Sequence, residues 1–170
     1  MTSEISSPND AADLRLRYDV TAADPEVIRD LVQSTGVFRP QEVDVAVELV
    51  DERLAKGEAS GYHFVFAEGE GLMQGYACYG PIPLTVARYD LYWIAVRQAC
   101  QGRGVALTLM RDVERLIRAA GGSRIYIETS GRGDHGAARA LYEKCDYRQV
   151  AALTDFYAPD DDKIVYLKVL

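Results

Sequence analysis

The chain has 170 residues, 48% of them hydrophobic and 26% charged, enough to bury one substantial core and too few for two equal domains. A formal net charge of -7 and a sequence pI near 4.9 argue against a broad nucleic-acid surface held by phosphate contacts. No apolar run approaches the ~20 residues of a membrane helix, and the start MTSEISSPND lacks a signal-peptide apolar core, so a cytoplasmic protein without a membrane partner is expected.

Residues 1 to 13 are polar, carry Pro8 and read as a flexible tail; residues 14 to 170 read as a single domain. LRLRYDV (14 to 20) alternates apolar and polar residues like a first strand. DPEVIRDLVQS follows as a short helix, with Asp24 as its cap, Pro25 at the first helical position and Gly36 past its end. From Pro40 to Gly57, Val43, Val47, Val50 and Leu54 fall on one face at helical spacing. YHFVFAE (62 to 68) and LMQGYACYG (72 to 80) are strand-like runs around a turn that Gly69 and Gly71 permit, and an antiparallel pair is expected.

After the connection PIPLT, the aromatic and β-branched run RYDLYWIAV (88 to 96) reads as a central strand. Helical spacing resumes from about Arg103 to Ala120, with Val105, Leu109, Val113, Leu116, Ile117 and Ala120 in one stripe, and Gly121 and Gly122 stop it. RIYIETS (124 to 130) is another strand and GAARALYEKC (136 to 145) another helix. The runs YRQVAALTDFYAP and KIVYLKVL then flank Asp160, Asp161 and Asp162 as a closing antiparallel hairpin with a solvated tip. The order is mixed α/β, and strand-helix-strand in the second half favours local parallel pairing.

Several chemistries lose support on residue counts. Cys78, Cys100 and Cys145 are widely spaced without a CxxC pair, and His63 and His135 have no second ligand at metal-binding spacing, so neither a disulfide framework nor a metal site is expected. No GxSxG elbow is present, and Cys145 has no partner base, which makes it a small buried hydrophobe. GRGD at 131 to 134 reads as a loop, and the three aspartates lack the spacing of a calcium loop.

Between the central strand and the next helix lies VRQACQGRGVALTLM. A dinucleotide fingerprint fails because Leu107 stands where the third glycine belongs, and a Walker loop fails because the stretch has no lysine. The pattern Q/R-x-x-G-x-G/A is met by Gln101, Gly104 and Ala106. Alone, this stretch could be a helix-capping turn with no ligand. In strand-to-helix context it resembles motif A of the GCN5-related N-acetyltransferases (GNAT), and ARALYEKCDY resembles a later element of that superfamily at Ala138, Leu141, Tyr142 and Tyr147. Two departures stand out: Arg97 and Gln98 follow the central strand where relatives often have proline and an acidic residue, and Asp146 takes a usual glycine.

The resemblance implies a GNAT-like α/β fold, about seven strands in a mixed sheet flanked by about four helices, with acetyl-CoA as co-substrate and a primary amine, of a small molecule, as acceptor. It implies that Gln101, Gly102, Arg103, Gly104, Val105 and Ala106 surround a pyrophosphate at a helix N-terminus, and that the backbone of Ile94, Ala95 and Val96 pairs with the pantetheine amides. Tyr142 matches the family position whose hydroxyl often protonates the departing thiolate; otherwise it is a packed aromatic. Asp90 stands where the histone-modifying branch carries its base, and Glu128 on the parallel strand is the second candidate. Tyr92, on the face of Asp90 by strand alternation, either lines the acceptor site or belongs to the core. A non-catalytic acyl-CoA-binding or sensing domain, or an acetyltransferase acting on a protein N-terminus or lysine, are the alternatives. Relatives often pair, so a homodimer is compatible with the resemblance.

Overall fold

The computed structural model describes residues 14 to 170, and the tail expected at residues 1 to 13 lies outside them. Among the described residues, seven strands form one sheet in the order β1-β2-β3-β4-β5-β7-β6, with four α-helices around it. The strands are β1 Arg15–Arg17, β2 His63–Gly69, β3 Leu72–Pro81, β4 Arg88–Val96, β5 Arg124–Ser130, β6 Arg148–Ala158 and β7 Asp161–Val169. The helices are α1 Asp24–Ser34, α2 Pro40–Lys56, α3 Val105–Ala119 and α4 Gly136–Lys144. The expected mixed α/β order is therefore observed, and the one parallel pairing, β4 with β5, is the one bridged by a crossover helix.

Each face of the sheet buries its own core. Ile28, Leu31 and Val32 of α1 and Val43, Val47 and Val50 of α2 pack with Phe64, Phe66 and Tyr76 on one face. Val105, Leu109, Val113 and Ile117 of α3 pack with Val65, Ala77, Leu91, Ile125 and Ile127 on the other, joined by Tyr142 and Tyr166. Strand alternation sends neighbouring residues to opposite cores, as Val65 and Phe66 illustrate.

Four details differ from the sequence expectation. The first strand is only Arg15–Arg17, because beyond it Arg17 turns its guanidinium onto Asp24 (2.8 and 3.0 Å) and stacks 4.2 Å over Phe66. Asp24 is not the cap of α1: the helix starts on it, and its buried carboxylate accepts the Thr21 N–H at 2.7 Å as well as Arg17. Leu54 and Ala120 are exposed, since the core stripes of α2 and α3 end one turn earlier, at Val50 and Ile117. Asp161 does not sit at a solvated tip but opens β7 fully buried; its Oδ1 accepts from the Ser130 hydroxyl, and its Oδ2 lies 3.6 Å from Arg39 and 3.7 Å from Arg132.

Candidate active site

The site forms where the sheet opens. β4 and β5 pair only at Arg88–Arg124, Tyr89–Ile125 and Asp90–Tyr126. Beyond Asp90, β4 stays with β3 as far as Val96, while β5 turns to β7 as far as Ser130. The two strands therefore splay, and among the described residues the β5-facing edge of Leu91 to Val96 has no strand partner; strand alternation turns the backbone groups of Ile94 and Val96 to that edge, while those of Ala95 pair with Tyr76 of β3. A β-bulge sharpens the geometry: Cys78 pairs with Trp93 but Tyr79 pairs with Leu91, leaving Tyr92 extra. Tyr92 and Trp93 both turn to the α1/α2 face as a result.

The loop leaving β4 is tied down locally. Arg97 donates to the Met73 carbonyl at 3.2 Å and pairs with Asp30 of α1 at 2.7 Å, while Ser34 Oγ accepts the Gln98 N–H. These contacts fasten the end of β4 to α1. Gln101 folds back, its N–H donating to Gln98 O at 3.3 Å and its side-chain amide to Val96 O at 3.2 Å. Gln101 thus shapes the loop, and outward-facing N–H groups begin after it.

Gly102 and Gly104 adopt φ of +78° and +83°, a left-handed backbone that favours glycine, and a Cβ on either would meet nothing within 4 Å. That open space fits close approach of an anion. Gly104 caps α3, whose first internal bond runs from Thr108 N–H to Gly104 O at 3.0 Å. The N–H groups of Val105, Ala106 and Leu107 precede that bond and point out of the helix at its positive end. Arg103, on the exposed rim, lies 3.6 Å from Glu70. At Gly75 the constraint is packing, since a Cβ would lie 3.0 Å from both Ala95 O and Val105 Cγ1; this glycine seats the start of α3 on the sheet.

Between the splayed strands a cleft of about 290 Å³ is lined by Tyr92, Ile94, Glu128 and Tyr142 together with Phe38, Glu42, Leu91, Trp93, Thr129, Ser130, His135, Ala138 and Tyr157. Four of the residues expected from sequence thus converge on one hollow. A larger hollow of about 490 Å³ lies against β6 and β7, among Arg139, Asp155, Asp160 and Asp162, and includes none of the expected residues. The smaller cleft is the one that reaches the open strand edge, at Leu91 and Ile94.

Tyr142 is 5% exposed, packed by Tyr147 and Tyr166 (ring centroids 6.4 and 5.6 Å), and burial drives its hydroxyl far above the ordinary phenol range, so it stays protonated. α4 is held in register by Arg139, which donates to Ser130 O at 2.7 Å and Arg132 O at 2.8 Å. The Asp90 carboxyl is pushed up to about 6 by burial first and the field of Glu128 second. Asp90 is not among the residues lining the cleft, and its charge acts on the hydroxyl of Tyr92. Glu128 is exposed and paired with Lys163 at 2.8 Å. His135 is buried, and burial lowers its pKa, which keeps the imidazole neutral at pH 7. Among the described residues no group of His, Cys, Asp and Glu side chains could hold a metal ion.

The sequence profile of the Acetyltransferase (GNAT) family matches residues 26–147. The chain belongs to this family. The GNAT-family protein from Desulfovibrio desulfuricans superposes with a TM-score of 0.89 at 45% identity, covering 92% of this chain and 98% of its own. An aminoglycoside 6'-N-acetyltransferase complexed with coenzyme A shares the GNAT fold with a TM-score of 0.74 at 18% identity, over 91% of this chain and 96% of that one. The N-alpha-acetyltransferase RimI of Mycobacterium tuberculosis is 33% identical over 96 residues, 56% of this chain and 58% of its own length, so the chain spans little more than half of that relative.

Proposed function

We propose that this GNAT protein transfers acetyl from acetyl-CoA to a primary amine of a small molecule by direct attack on the thioester. The observation that carries the reading is the continuity of three features: the outward N–H groups at the start of α3, the open edge of Ile94 to Val96, and the cleft holding Tyr142. Acetyl-CoA supplies an acyl group already activated as a thioester. The N–H groups of Gly102 to Ala106 bind its pyrophosphate, favoured by the helix N-terminus. The backbone groups of Ile94 and Val96, with Ala95 between them held on β3, orient the pantetheine arm as an added strand would, directing the thioester into the splay.

Two protons must then move. Tyr142, kept protonated by burial, holds the proton that the departing thiolate needs. Asp90 is the better base: held at about 6, it is ionised at pH 7 yet basic enough to take the amine's proton, through one water past Tyr92. Glu128 is less suited, because its carboxylate is exposed and already engaged by the Lys163 ammonium at 2.8 Å. Tyr92 lines the acceptor side.

The test is release of free CoA from acetyl-CoA across a broad panel of amine acceptors, and turnover with at least one small amine is expected. Saturable acetyl-CoA binding without release of CoA by any amine would instead assign a binding or sensing role. Similarity to the Mycobacterium RimI favours a second acceptor class, a protein N-terminus. Mass spectrometry of cell proteins incubated with labelled acetyl-CoA separates it from the first, since labelled N-termini are expected only under that alternative.

A further inference from the structure

Arg132 is not among the residues lining the cleft, but it holds one that is. Its Nε lies 3.1 Å and its Nη2 3.2 Å from the two carboxylate oxygens of Asp134, Nη2 donates to Val37 O at 3.1 Å, and Nη1 lies 3.7 Å from Oδ2 of buried Asp161. The same Nη2 lies 3.2 Å from Nε2 of His135. One guanidinium thus ties the connection between α1 and α2, the start of β7 and the residue that precedes α4.

A guanidinium donates and never accepts. Nη2 shares two hydrogens among three neighbours, but a protonated Nε2 only 3.2 Å away would set hydrogen against hydrogen. Nε2 is therefore the bare nitrogen, and the proton of the neutral ring sits on Nδ1. The imidazolium, protonated on both nitrogens, is disfavoured for the same reason, and burial acts in the same direction. Of the charges that face the ring, Arg132 lowers its pKa, whereas Asp134, Glu42 of α2 and Asp161 of β7 raise it without prevailing. The ring plane is held as well: Phe38 meets it edge-on at 82° with centroids 5.7 Å apart, and Phe38 in turn packs on Trp93 at 4.9 Å. His135 lines the cleft, and its Nδ1 has no hydrogen-bond partner among the described residues and is reached by solvent.

We propose that Arg132 is a positioning residue of this site: it locks His135 as a neutral Nδ1–H donor that faces the cleft and pairs with a carbonyl oxygen of the bound ligand. The lone pair of the ring is turned to Arg132, so His135 is no base, and proton transfer stays with Asp90 and Tyr142. His135, Ala138 and Tyr142 all line the cleft at spacings of three and seven residues, one face of α4 and the residue that leads into it. The donor lies two turns, ~10 Å, along that face from Tyr142. The lock stands on the contacts alone; the identity of the ligand rests on the acetyl-transfer reading, under which the carbonyl oxygen belongs to acetyl-CoA or to the acceptor.

The chain has two histidines, His63 and His135, so proton–nitrogen correlation spectra of the labelled ring nitrogens read the tautomer directly, with His63→Gln assigning the signals. His135 is expected to be neutral and Nδ1–H at pH 7, the reverse of the tautomer that a free histidine favours in water. Arg132→Gln is expected to admit the Nε2–H form and to let the ring charge at a higher pH than in the parent, because the donor and its positive charge are gone. Should that variant fail to fold, the parent spectrum still decides: an Nε2–H ring or an imidazolium there would overturn the lock. The donor role is read from binding, by calorimetry with acetyl-CoA and by the fluorescence of Trp93, the single tryptophan, with glycinamide. His135→Leu, which has no donor, is expected to weaken one of the two ligands by about three- to tenfold, and the ligand that weakens owns the carbonyl. His135→Asn, whose amide can place an N–H where Nδ1 stands, is expected to stay within about twofold of the parent. Unchanged binding of both ligands to His135→Leu would overturn the donor role. A parent that shows the Nδ1–H ring but binds no acetyl-CoA would sink the acetyl-transfer reading instead and leave the lock standing.

Discussion

Replacing Asp90 by asparagine is expected to trade activity for stability. The Asp90 carboxyl is held at about 6, against the 3.8 of a solvated aspartate, because burial and the Glu128 charge disfavour its ionised form. That displacement corresponds to about 3 kcal/mol, which solvent access to a half-buried group reduces to about 1 kcal/mol. The sign follows from linkage. Below about pH 4 both folded and unfolded states hold the proton and the charge costs nothing. Between about 4 and 6 only the unfolded state releases it, and stability falls; above about 6 the full cost is present. Asp90→Asn removes the charge, so urea unfolding should find the variant more stable than the parent by about 1 kcal/mol at pH 8, with the difference shrinking toward pH 4. If Asp90 is the base, the variant also loses the rise of kcat/KM through about pH 6 and about 10²-fold in rate. A variant no more stable at pH 8, with an unaltered pH–rate profile, would refute the reasoning and move the base to Glu128.

Tyr142→Phe should lower kcat by about 10²-fold while leaving acetyl-CoA binding, followed by calorimetry, within about twofold; unchanged turnover removes its acid role. Asp146 takes a φ of +65° in place of the family's usual glycine, so Asp146→Gly is expected to raise the urea midpoint by the equivalent of about 0.5 kcal/mol, and Asp146→Val to lower it by more than ~1 kcal/mol. Gly75→Ala puts a methyl 3.0 Å from Ala95 O and Val105 Cγ1 and 3.2 Å from Leu109 Cδ1. It should cost about 1 to 3 kcal/mol and weaken acetyl-CoA binding, because the start of α3 must lift off the sheet.

Local chemistry made much of the architecture legible from sequence. RYDLYWIAV and RIYIETS coincide with β4 and β5 because β-branched and aromatic runs suit a strand buried on both faces. The loop was readable for a similar reason: two glycines ahead of an amphipathic helix encode their own φ angles and a helix start, which are short-range properties. The acceptor cleft was not. Phe38, Glu42, Trp93, His135 and Tyr157 come from five separate segments and share no spacing, and only the packing of α2 and the β6–β7 hairpin across the splay brings them together. The bulge at Tyr92 was equally hidden, since strict alternation sends Trp93 to the opposite face. Asp161 misled for another reason: three aspartates in a row look solvated, yet the partners that make burial of one tolerable, Ser130, Arg39 and Arg132, lie far away in sequence.

The central claim is that the turn from Gly102 to Ala106, the open edge of β4 and the Tyr142 cleft together form one acetyl-CoA site. Isothermal titration of the purified protein with acetyl-CoA tests it most directly. Saturable binding with one molecule per chain, weakened at least tenfold when Gly104 is replaced by valine in a variant that remains folded, is the predicted result. No binding at millimolar acetyl-CoA, or binding indifferent to Gly104, would contradict it.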